Sequence, residues 1–412
     1  MIRKRLAVLL LLAPFSAAFA ELWEFESAVD VTAASNGGKA NFFHHLDSAG
    51  RRNIATNSDG VAITWEDDRD GTPRIYLAYK GLDESAFSRE VRLSGEGEAY
   101  EPTIIALDRS RYAVAWEENG HVMTRSVSID GKVELGQVVQ LSETAGAQAN
   151  LTQGNRVAYA LWSERASRYG RIRYRPMTVD ESGTFQLGEG CYIDPIPPAD
   201  EQLYPTAAVS GDELIVVWED RRPKHTIIMA ATGQSGKPCQ FSEPLRISEK
   251  PDGRDLPYGT GHGVSRVALG TFGKEKVFAA WADKRNFRDG YDIWGAEYTP
   301  DETGFRTNEK VQDDFSGLSK QRNATVDGHA NGLLVVAWSD EREGHTDVML
   351  SWREQGEWSD DWTVSVASGA GHQNNPTIAL DDDGNLHVAW VERKAIGGTT
   401  RLKYAFGKLQ GD

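Results

Sequence analysis

The sequence predicts an all-β protein, a seven-bladed β-propeller made of four-stranded antiparallel blades. An apolar segment that ends in tryptophan recurs seven times, at Trp65, Trp116, Trp162, Trp218, Trp281, Trp338 and Trp390. Successive tryptophans lie 51, 46, 56, 63, 57 and 52 residues apart, and such a period is typical of radial or stacked arrays of small sheets. No apolar stripe with helical spacing interrupts the repeats, so the array contains strands alone.

Each repeat contains four short β segments. A strand of small residues, such as Pro376–Leu380, leads through an Asp- and Gly-rich turn into the tryptophan strand. A charged turn follows, and then two further strands with apolar residues at every second position. Small residues suit the innermost strand, where blades crowd the axis. The tryptophan suits the wedge between neighbouring blades, which a large ring fills.

The two ends of the chain are predicted to close the ring. The seventh repeat ends after its third strand, and the segment 21–33 matches the outer strand of the sixth repeat, with Trp23 at the position of Trp358. We therefore expect this N-terminal strand to complete the last blade and to leave no open sheet edge. The prediction is one propeller domain that spans residues 21–412.

Residues 1–20 have the features of a secretory signal peptide. Arg3, Lys4 and Arg5 precede an apolar run and a small-residue end at Ala20. A membrane anchor would need a longer apolar span, and nothing downstream could cross a bilayer. The sequence predicts export to the periplasm or the extracellular space, without membrane insertion.

Charge and cysteine content narrow the classes of partner. Lys and Arg number 45 against 61 Asp and Glu, for a net charge of −16, which argues against binding to a nucleic-acid backbone. Cys191 and Cys239 lie about one repeat apart, so we expect a disulfide between blades. A zinc site would need more ligands than this pair provides.

An acidic residue stands two positions after each of the seven repeat tryptophans, and an arginine follows two positions later in four repeats, as in Asp340 and Arg342. A group that recurs around a ring is not a single catalytic centre. We expect it to accept backbone N–H bonds and to pair with its arginine within the turn.

Function is expected where the repeat is broken, at the links that surround one end of the axis. One aligned column of these links reads Arg52, Glu101, Ala149, Tyr204, Val264, Arg322 and Asn375. From it we select as catalytic candidates Tyr204, Arg322, Arg52 and the nearby His262. The substrate-binding candidates are Glu101, Arg51, His44, His45, Arg266, Asn375 and His372.

Several arginines and histidines gathered at one point of an acidic protein predict a local cationic centre. Such a centre suits a carboxylated or sulfated sugar, because arginine binds these groups in a bidentate fork. The alternative is that these arginines only neutralise the acids of adjacent turns. Adjacent side chains such as His44 and His45 rarely converge on one ion, so no metal and no cofactor is expected.

The segment Pro376–Glu392, with the preceding Gly356–Ser359, resembles repeats of bacterial sialidase-superfamily propellers. The sequence lacks the Phe-Arg-Ile-Pro motif and the Ser-x-Asp-x-Gly-x-x-Trp boxes of true sialidases, so their arginine triad is not transferred to this chain. Secreted seven-bladed lyases that act on ulvan-type uronates are a second resemblance. It implies proton transfer by Tyr204 or His262, with Arg52 and Arg322 on the uronate carboxylate.

Two functions follow from the sequence. The first is recognition of an anionic carbohydrate (a uronate, sulfated or sialylated glycan) at the axial mouth, with or without cleavage. If the chain is an enzyme, a lyase is favoured over a hydrolase, which needs two facing carboxylates; Glu101 is the one non-repeating acid in the column. The alternative is a non-catalytic propeller that binds an envelope or extracellular protein.

Overall fold

The structure, a computed structural model, describes residues 21–32, 44–46, 52–250, 263–285, 290–300, 304–313, 317–354, 356–395 and 398–410. The predicted signal peptide lies outside these residues, as do the candidates Arg51 and His262. The domain boundaries therefore stay a prediction. No helix in the described ranges is long and apolar enough to span a bilayer.

The described residues form seven antiparallel sheets arranged as the blades of a propeller. The chain starts with β1 (Trp23–Phe25) and β2 (Val29–Asp30), which belong to the last blade. Blade 1 contains β3 (His44–His45), β4 (Ile54–Asn57), β5 (Gly60–Asp67), β6 (Arg74–Gly81) and β7 (Val91–Arg92). Blade 2 contains β8 (Ala99–Ala106), β9 (Arg111–Glu118), β10 (His121–Ile129), β11 (Val133–Leu135) and β12 (Val139–Gln140).

Blades 3 to 5 follow the same order. Blade 3 contains β13 (Gly146–Gln153), β14 (Ala158–Ala166), β15 (Tyr169–Val179), β16 (Phe185–Leu187) and β17 (Cys191–Tyr192). Blade 4 contains β18 (Gln202–Ser210), β19 (Glu213–Asp220), β20 (Ile227–Gln234) and β21 (Leu245–Arg246). Blade 5 contains β22 (Val264–Phe272), β23 (Lys276–Asp283), β24 (Asp292–Tyr298) and β25 (Glu309–Lys310).

The last two blades complete the ring. Blade 6 contains β26 (Gln321–Gly328), β27 (Leu334–Asp340), β28 (Asp347–Glu354), β29 (Glu357–Trp358) and β30 (Trp362–Thr363). Blade 7 contains β31 (His372–Leu380), β32 (Leu386–Arg393) and β33 (Thr400–Leu409). The predicted all-β, seven-bladed architecture is confirmed, although the outer edge of several blades is split into two short strands.

The N-terminal strand closes the ring as predicted. Trp23 lies opposite Leu409 and Val29 lies opposite Tyr404, so β1 and β2 form the outer edge of blade 7. Trp23 is 1% exposed, and its indole N–H donates to the carbonyl of Gly384 at 3.0 Å. Burial of this large ring ties the start of the chain to the last blade.

The seven repeat tryptophans lie buried between blades, each at most 1% exposed. In six of the blades the indole N–H donates to the acid two residues later, at 2.8–3.2 Å: Asp67, Glu118, Glu164, Asp220, Asp283 and Asp340. In blades 1, 4, 5 and 6 the same acid accepts from the backbone and the guanidinium of the arginine that follows. The prediction that these acids accept bonds from the turn and from its arginine is confirmed. Their bond to the indole N–H was not predicted.

The predicted disulfide is present. Cys191, in β17 of blade 3, is bonded to Cys239, which lies between β20 and β21 of blade 4, and the two Cα atoms are 5.8 Å apart. Both cysteines pack against the apolar cluster between blades 3 and 4. The bond therefore joins the outer parts of two adjacent blades.

Candidate functional site

The inner strands of blades 2 to 7 share one irregularity that shapes the mouth of the axis. In each of them two residues face the single repeat tryptophan of the next strand, which is a β-bulge. The first bulge residue has φ between 50° and 61° in all six blades: Glu101, Gln148, Tyr204, Arg266, Asn323 and Asn375. Left-handed backbone at a non-glycine residue is costly and concentrates at functional sites. We call these six residues the bulge ring.

Blade 1 differs, because its inner strand is interrupted. His44 and His45 pair with Asp67 and Glu66, and pairing resumes only at Ile54. The described pairing of blade 1 therefore has no pair between His45 and Ile54, where the other blades have a two-residue bulge. The side chains of His44 and His45 and all of Arg51 and His262 lie outside what the structure describes, so these four candidates keep the status of predictions.

Because of the bulges, the residues that face the mouth are not all those of the column aligned from the sequence. Glu101, Tyr204 and Asn375 belong to the bulge ring. Blades 3, 5 and 6, however, contribute Gln148, Arg266 and Asn323 where the column had Ala149, Val264 and Arg322. Gln148 and Asn323 were missed, because a bulge adds a residue without changing the apolar alternation on either side. Arg322 remains beside the ring, as the residue before Asn323.

Tyr204 and Arg266 form a stacked pair in the bulge ring. The guanidinium carbon of Arg266 lies 3.5 Å from the centroid of the Tyr204 ring, which is a close cation–π contact. The Arg266 Nη1 atom is buried and has no hydrogen-bond partner among the described residues. The backbone N–H of Tyr204 donates to Gln148 Oε1 at 2.8 Å. The pair thus presents an aromatic ring and a cation with unused donor capacity.

Arg322 belongs to a second cation–aromatic group at the same mouth. Its guanidinium lies 4.8 Å from the centroid of Tyr291, and the ammonium of Lys284 lies 5.5 Å from that centroid. The Arg322 side chain is exposed. Within the part of the chain that the structure describes, neither Arg322 nor Arg266 forms an ion pair with an acid. Blades 5 and 6 therefore give the mouth a cationic sector.

Acidic side chains also lie at the mouth, where they contact the backbone of the bulge ring. In four pairs of neighbouring blades, the residue directly after the tryptophan of one blade accepts the N–H of the first bulge residue of the next blade. The pairs are Glu66 with Glu101 at 3.2 Å, Glu117 with Gln148 at 2.5 Å, Glu219 with Arg266 at 2.7 Å, and the Ser339 hydroxyl with Asn375 at 3.1 Å. We call the accepting side chains the capping residues.

Arg52 lies deeper than the bulge ring, inside the axial channel. Its Nη2 atom donates to the carbonyl of Leu269 at 3.2 Å and lies 3.3 Å from Asp327 Oδ1. Arg52 thus reaches from blade 1 across the axis to blades 5 and 6. A cavity of about 330 Å³ borders it, lined in part by Thr152 and Asp382. The charge of Arg52 is already balanced by Asp327, unlike the charges of Arg266 and Arg322.

His372 lies at the start of β31, where its Nδ1 atom is 3.4 Å from the Thr346 hydroxyl. In the chain it precedes Asn375, a member of the bulge ring, by three residues. Among the described residues, no three His, Cys, Asp or Glu side chains form a group that could hold a metal ion. The described mouth therefore brings together Glu101, Tyr204, Arg266 and Asn375, with Arg322 at its edge.

Comparisons with known proteins show the fold and little more. No model of a known protein family matches the chain. One curated relative, a dTDP-glucose 4,6-dehydratase of Streptomyces niveus, is 26% identical over 137 residues, which cover 32% of this chain. The chain spans 40% of the length of that relative, so its activity is not transferred.

Solved structures match over nearly the whole chain. The polysaccharide lyase Uly1 has a TM-score of 0.60 at 9% identity and covers 93% of this chain and 99% of its own. A protein of unknown function from Dyadobacter fermentans has a TM-score of 0.56 at 10% identity, with 95% and 100% covered. A mutant α-L-arabinofuranosidase of Fusarium graminearum, bound to an iminosugar inhibitor, has a TM-score of 0.52 at 11% identity, with 93% and 98% covered. The resemblance to lyase-type propellers is thus confirmed at the level of the fold, and the chain is a seven-bladed β-propeller similar in architecture to these proteins.

Proposed function

We propose that the axial mouth binds an anionic carbohydrate. The observation that carries this proposal is the pair of arginines, Arg266 and Arg322, whose guanidinium groups lie against tyrosine rings and form no ion pair with an acid among the described residues. A guanidinium that no protein carboxylate neutralises retains its fork of donors for a planar anion. In a chain of net charge −16, such a sector attracts anions only locally, which favours a ligand that enters the mouth.

The carbohydrate part of the proposal is supported by the rings beside the cations. Tyr204 and Tyr291 place apolar faces with polar tips at the mouth, and such rings suit sugar faces, which combine C–H groups with hydroxyls. Solved propellers of similar fold include a polysaccharide lyase and an arabinofuranosidase. Their activities belong to those proteins and guide the choice of ligands to be tested.

Cleavage by β-elimination is the second candidate function, favoured by the contact between Tyr204 and Arg266. In such a step a base removes the proton next to the uronate carboxylate, the bond to the leaving sugar oxygen breaks, and that oxygen takes up a proton. Tyr204 would exchange the proton, while Arg266 and Arg322 neutralise the carboxylate. Hydrolysis is less well supported, because Glu66, Glu117 and Glu219 already accept backbone N–H bonds.

We also propose that the protein is exported. The Cys191–Cys239 disulfide supports this, since disulfides persist in oxidising compartments. The signal-peptide features of residues 1–20 support it independently.

Incubation with uronate, sulfated and sialylated polymers tests the proposal. We expect binding to uronate polymers; new ultraviolet absorbance from an unsaturated uronate would show a lyase, and new reducing ends without absorbance would show hydrolysis. Arg322→Ala should weaken binding by on the order of 10- to 100-fold, because a charge-assisted hydrogen bond is lost. Tyr204→Ala should abolish any elimination without unfolding the ring.

Arg111→Ala is the matched control. Arg111 pairs with Asp108 in the turn between β8 and β9, at the opposite end of the inner strand from Glu101. Its loss should leave binding unchanged. Wild-type binding and turnover in both mouth variants would refute this site. Binding of a protein partner alone, with no response to any glycan, would favour the non-catalytic scaffold.

A further inference from the structure

Blade 5 breaks the capping pattern. Its residue after the tryptophan is Ala282, which is 1% exposed and lies opposite Ser265 at the position of the capping residues. A methyl group accepts no hydrogen bond, and no described side chain accepts one from the backbone N–H of Asn323. The Asn323 side chain points elsewhere, since its Nδ2 donates to Asn375 Oδ1 at 2.6 Å. A backbone N–H that no side chain caps can donate to water or to a ligand.

The unfilled capping position lies in the cationic sector. Arg322 precedes Asn323 in the chain, and Arg266 occupies the bulge ring of β22, the inner strand next to β26. In three other blades a carboxylate fills the capping position, that of Glu66, Glu117 and Glu219 respectively. Its oxygen accepts the equivalent backbone N–H. The side-chain cap of Asn323 is thus absent beside two arginines whose guanidinium groups form no ion pair with an acid among the described residues.

We propose that a carboxylate of the ligand takes the place of the missing capping residue. One of its oxygens accepts the Asn323 N–H, and the other accepts from the guanidinium of Arg266 or Arg322. We call this group of three residues the Asn323 site. It rests on the proposed function, and it specifies the ligand further as a uronate rather than a sulfate ester. The reason is that the position accepts a planar carboxylate in three sister blades.

The variant Ala282→Glu tests this directly. It restores the side chain of the sister blades, so its carboxylate should cap Asn323 and occupy the Asn323 site. We expect oligogalacturonate to bind at least tenfold more weakly, and the melting temperature to be equal to or above that of the wild type. Ala86→Glu is the matched control, because it makes the same substitution at an exposed residue of the loop between β6 and β7, at the opposite end of the blade from the mouth. It should change the affinity less than threefold.

A site-specific signal separates this inference from the proposed function. In protein labelled with ¹⁵N-asparagine, the Asn323 amide is assigned by its absence in Asn323→Asp. Glucuronate should move this resonance in the wild type and not in Ala282→Glu, and glucose should move it in neither. If oligogalacturonate binds while the Asn323 resonance stays fixed, the Asn323 site is refuted and the proposed function stands. If glucuronate moves the resonance but no glycan polymer or oligomer binds, the proposed function fails and the site stands. If Ala282→Glu does not fold, the glucuronate titration of the wild type decides by itself whether the Asn323 amide contacts the ligand.

Discussion

Replacing Trp23 with alanine should lower the free energy of unfolding by about 3–5 kcal/mol, the usual cost of removing a buried tryptophan. Trp23 is 1% exposed, lies edge-on to Trp352 at 5.7 Å between ring centroids, and donates its indole N–H to Gly384. It belongs to the cluster between blades 6 and 7, where it fixes the strand that closes the ring. Its loss leaves a cavity and removes the side chain that holds β1.

Urea unfolding followed by tryptophan fluorescence measures this effect. Glu24→Ala is the control, because Glu24 is exposed and its strand pairing is a backbone contact with Lys408. Its free energy of unfolding should change by no more than about 0.5 kcal/mol. Equal midpoints for Trp23→Ala and the wild type would mean that closure by the first strand does not stabilise the ring.

Asp340→Ala should destabilise the protein by about 3–5 kcal/mol, because several donors lose one buried acceptor, at about 1–3 kcal/mol for each donor left unsatisfied. Asp340 is 1% exposed and accepts from the Trp338 indole at 3.0 Å and from the Arg342 backbone N–H at 2.8 Å. Burial lowers the pKa of Arg342, but its bonds to Asp340 and Asp361 outweigh this and keep that pKa above the ordinary value. The variant leaves the buried Trp338 indole and the Arg342 backbone N–H without their acceptor, and it leaves Arg342 with Asp361 as its remaining close carboxylate.

Blade 7 supplies the matched control. Glu392 stands at the same position of the repeat, but no arginine follows it two residues later, and the Trp390 indole N–H has no hydrogen-bond partner among the described residues. Glu392→Ala should therefore cost about 0.5 kcal/mol or less. Similar losses for Asp340→Ala and Glu392→Ala in urea unfolding would show that the network of bonds around Asp340 contributes little.

The architecture could be predicted from the sequence because the pattern of one blade recurs seven times along the chain. The tryptophan at a fixed place in each blade, the alternation of flanking strands and the match of Trp23 to an outer strand are all local patterns. They predicted the ring, its closure and the role of acids such as Asp340. The indole bond to that acid was missed, because residues two apart share one face of every strand, so the spacing alone does not indicate a hydrogen bond.

The mouth was predicted less completely. The sequence indicated Glu101, Tyr204, Arg266 and Asn375, but a bulge inserts a residue without an apolar signature, so Gln148 and Asn323 had no signal of their own. Arg52, two residues before β4 of blade 1, lies in the channel and pairs with Asp327. That contact crosses the axis between blades far apart in sequence, and no local pattern predicts it.

The central claim is that Arg266 and Arg322 bind a carboxylated sugar, and calorimetric titration tests it most directly. Oligogalacturonate and its methyl ester are titrated into the wild type, into an Arg266→Met/Arg322→Met double variant, and into Arg111→Met. We expect the wild type and Arg111→Met to bind the acid and not the ester, and the double variant to lose at least about 100-fold in affinity. Equal affinity of the double variant and the wild type for the acid, or equal binding of ester and acid, would contradict the account.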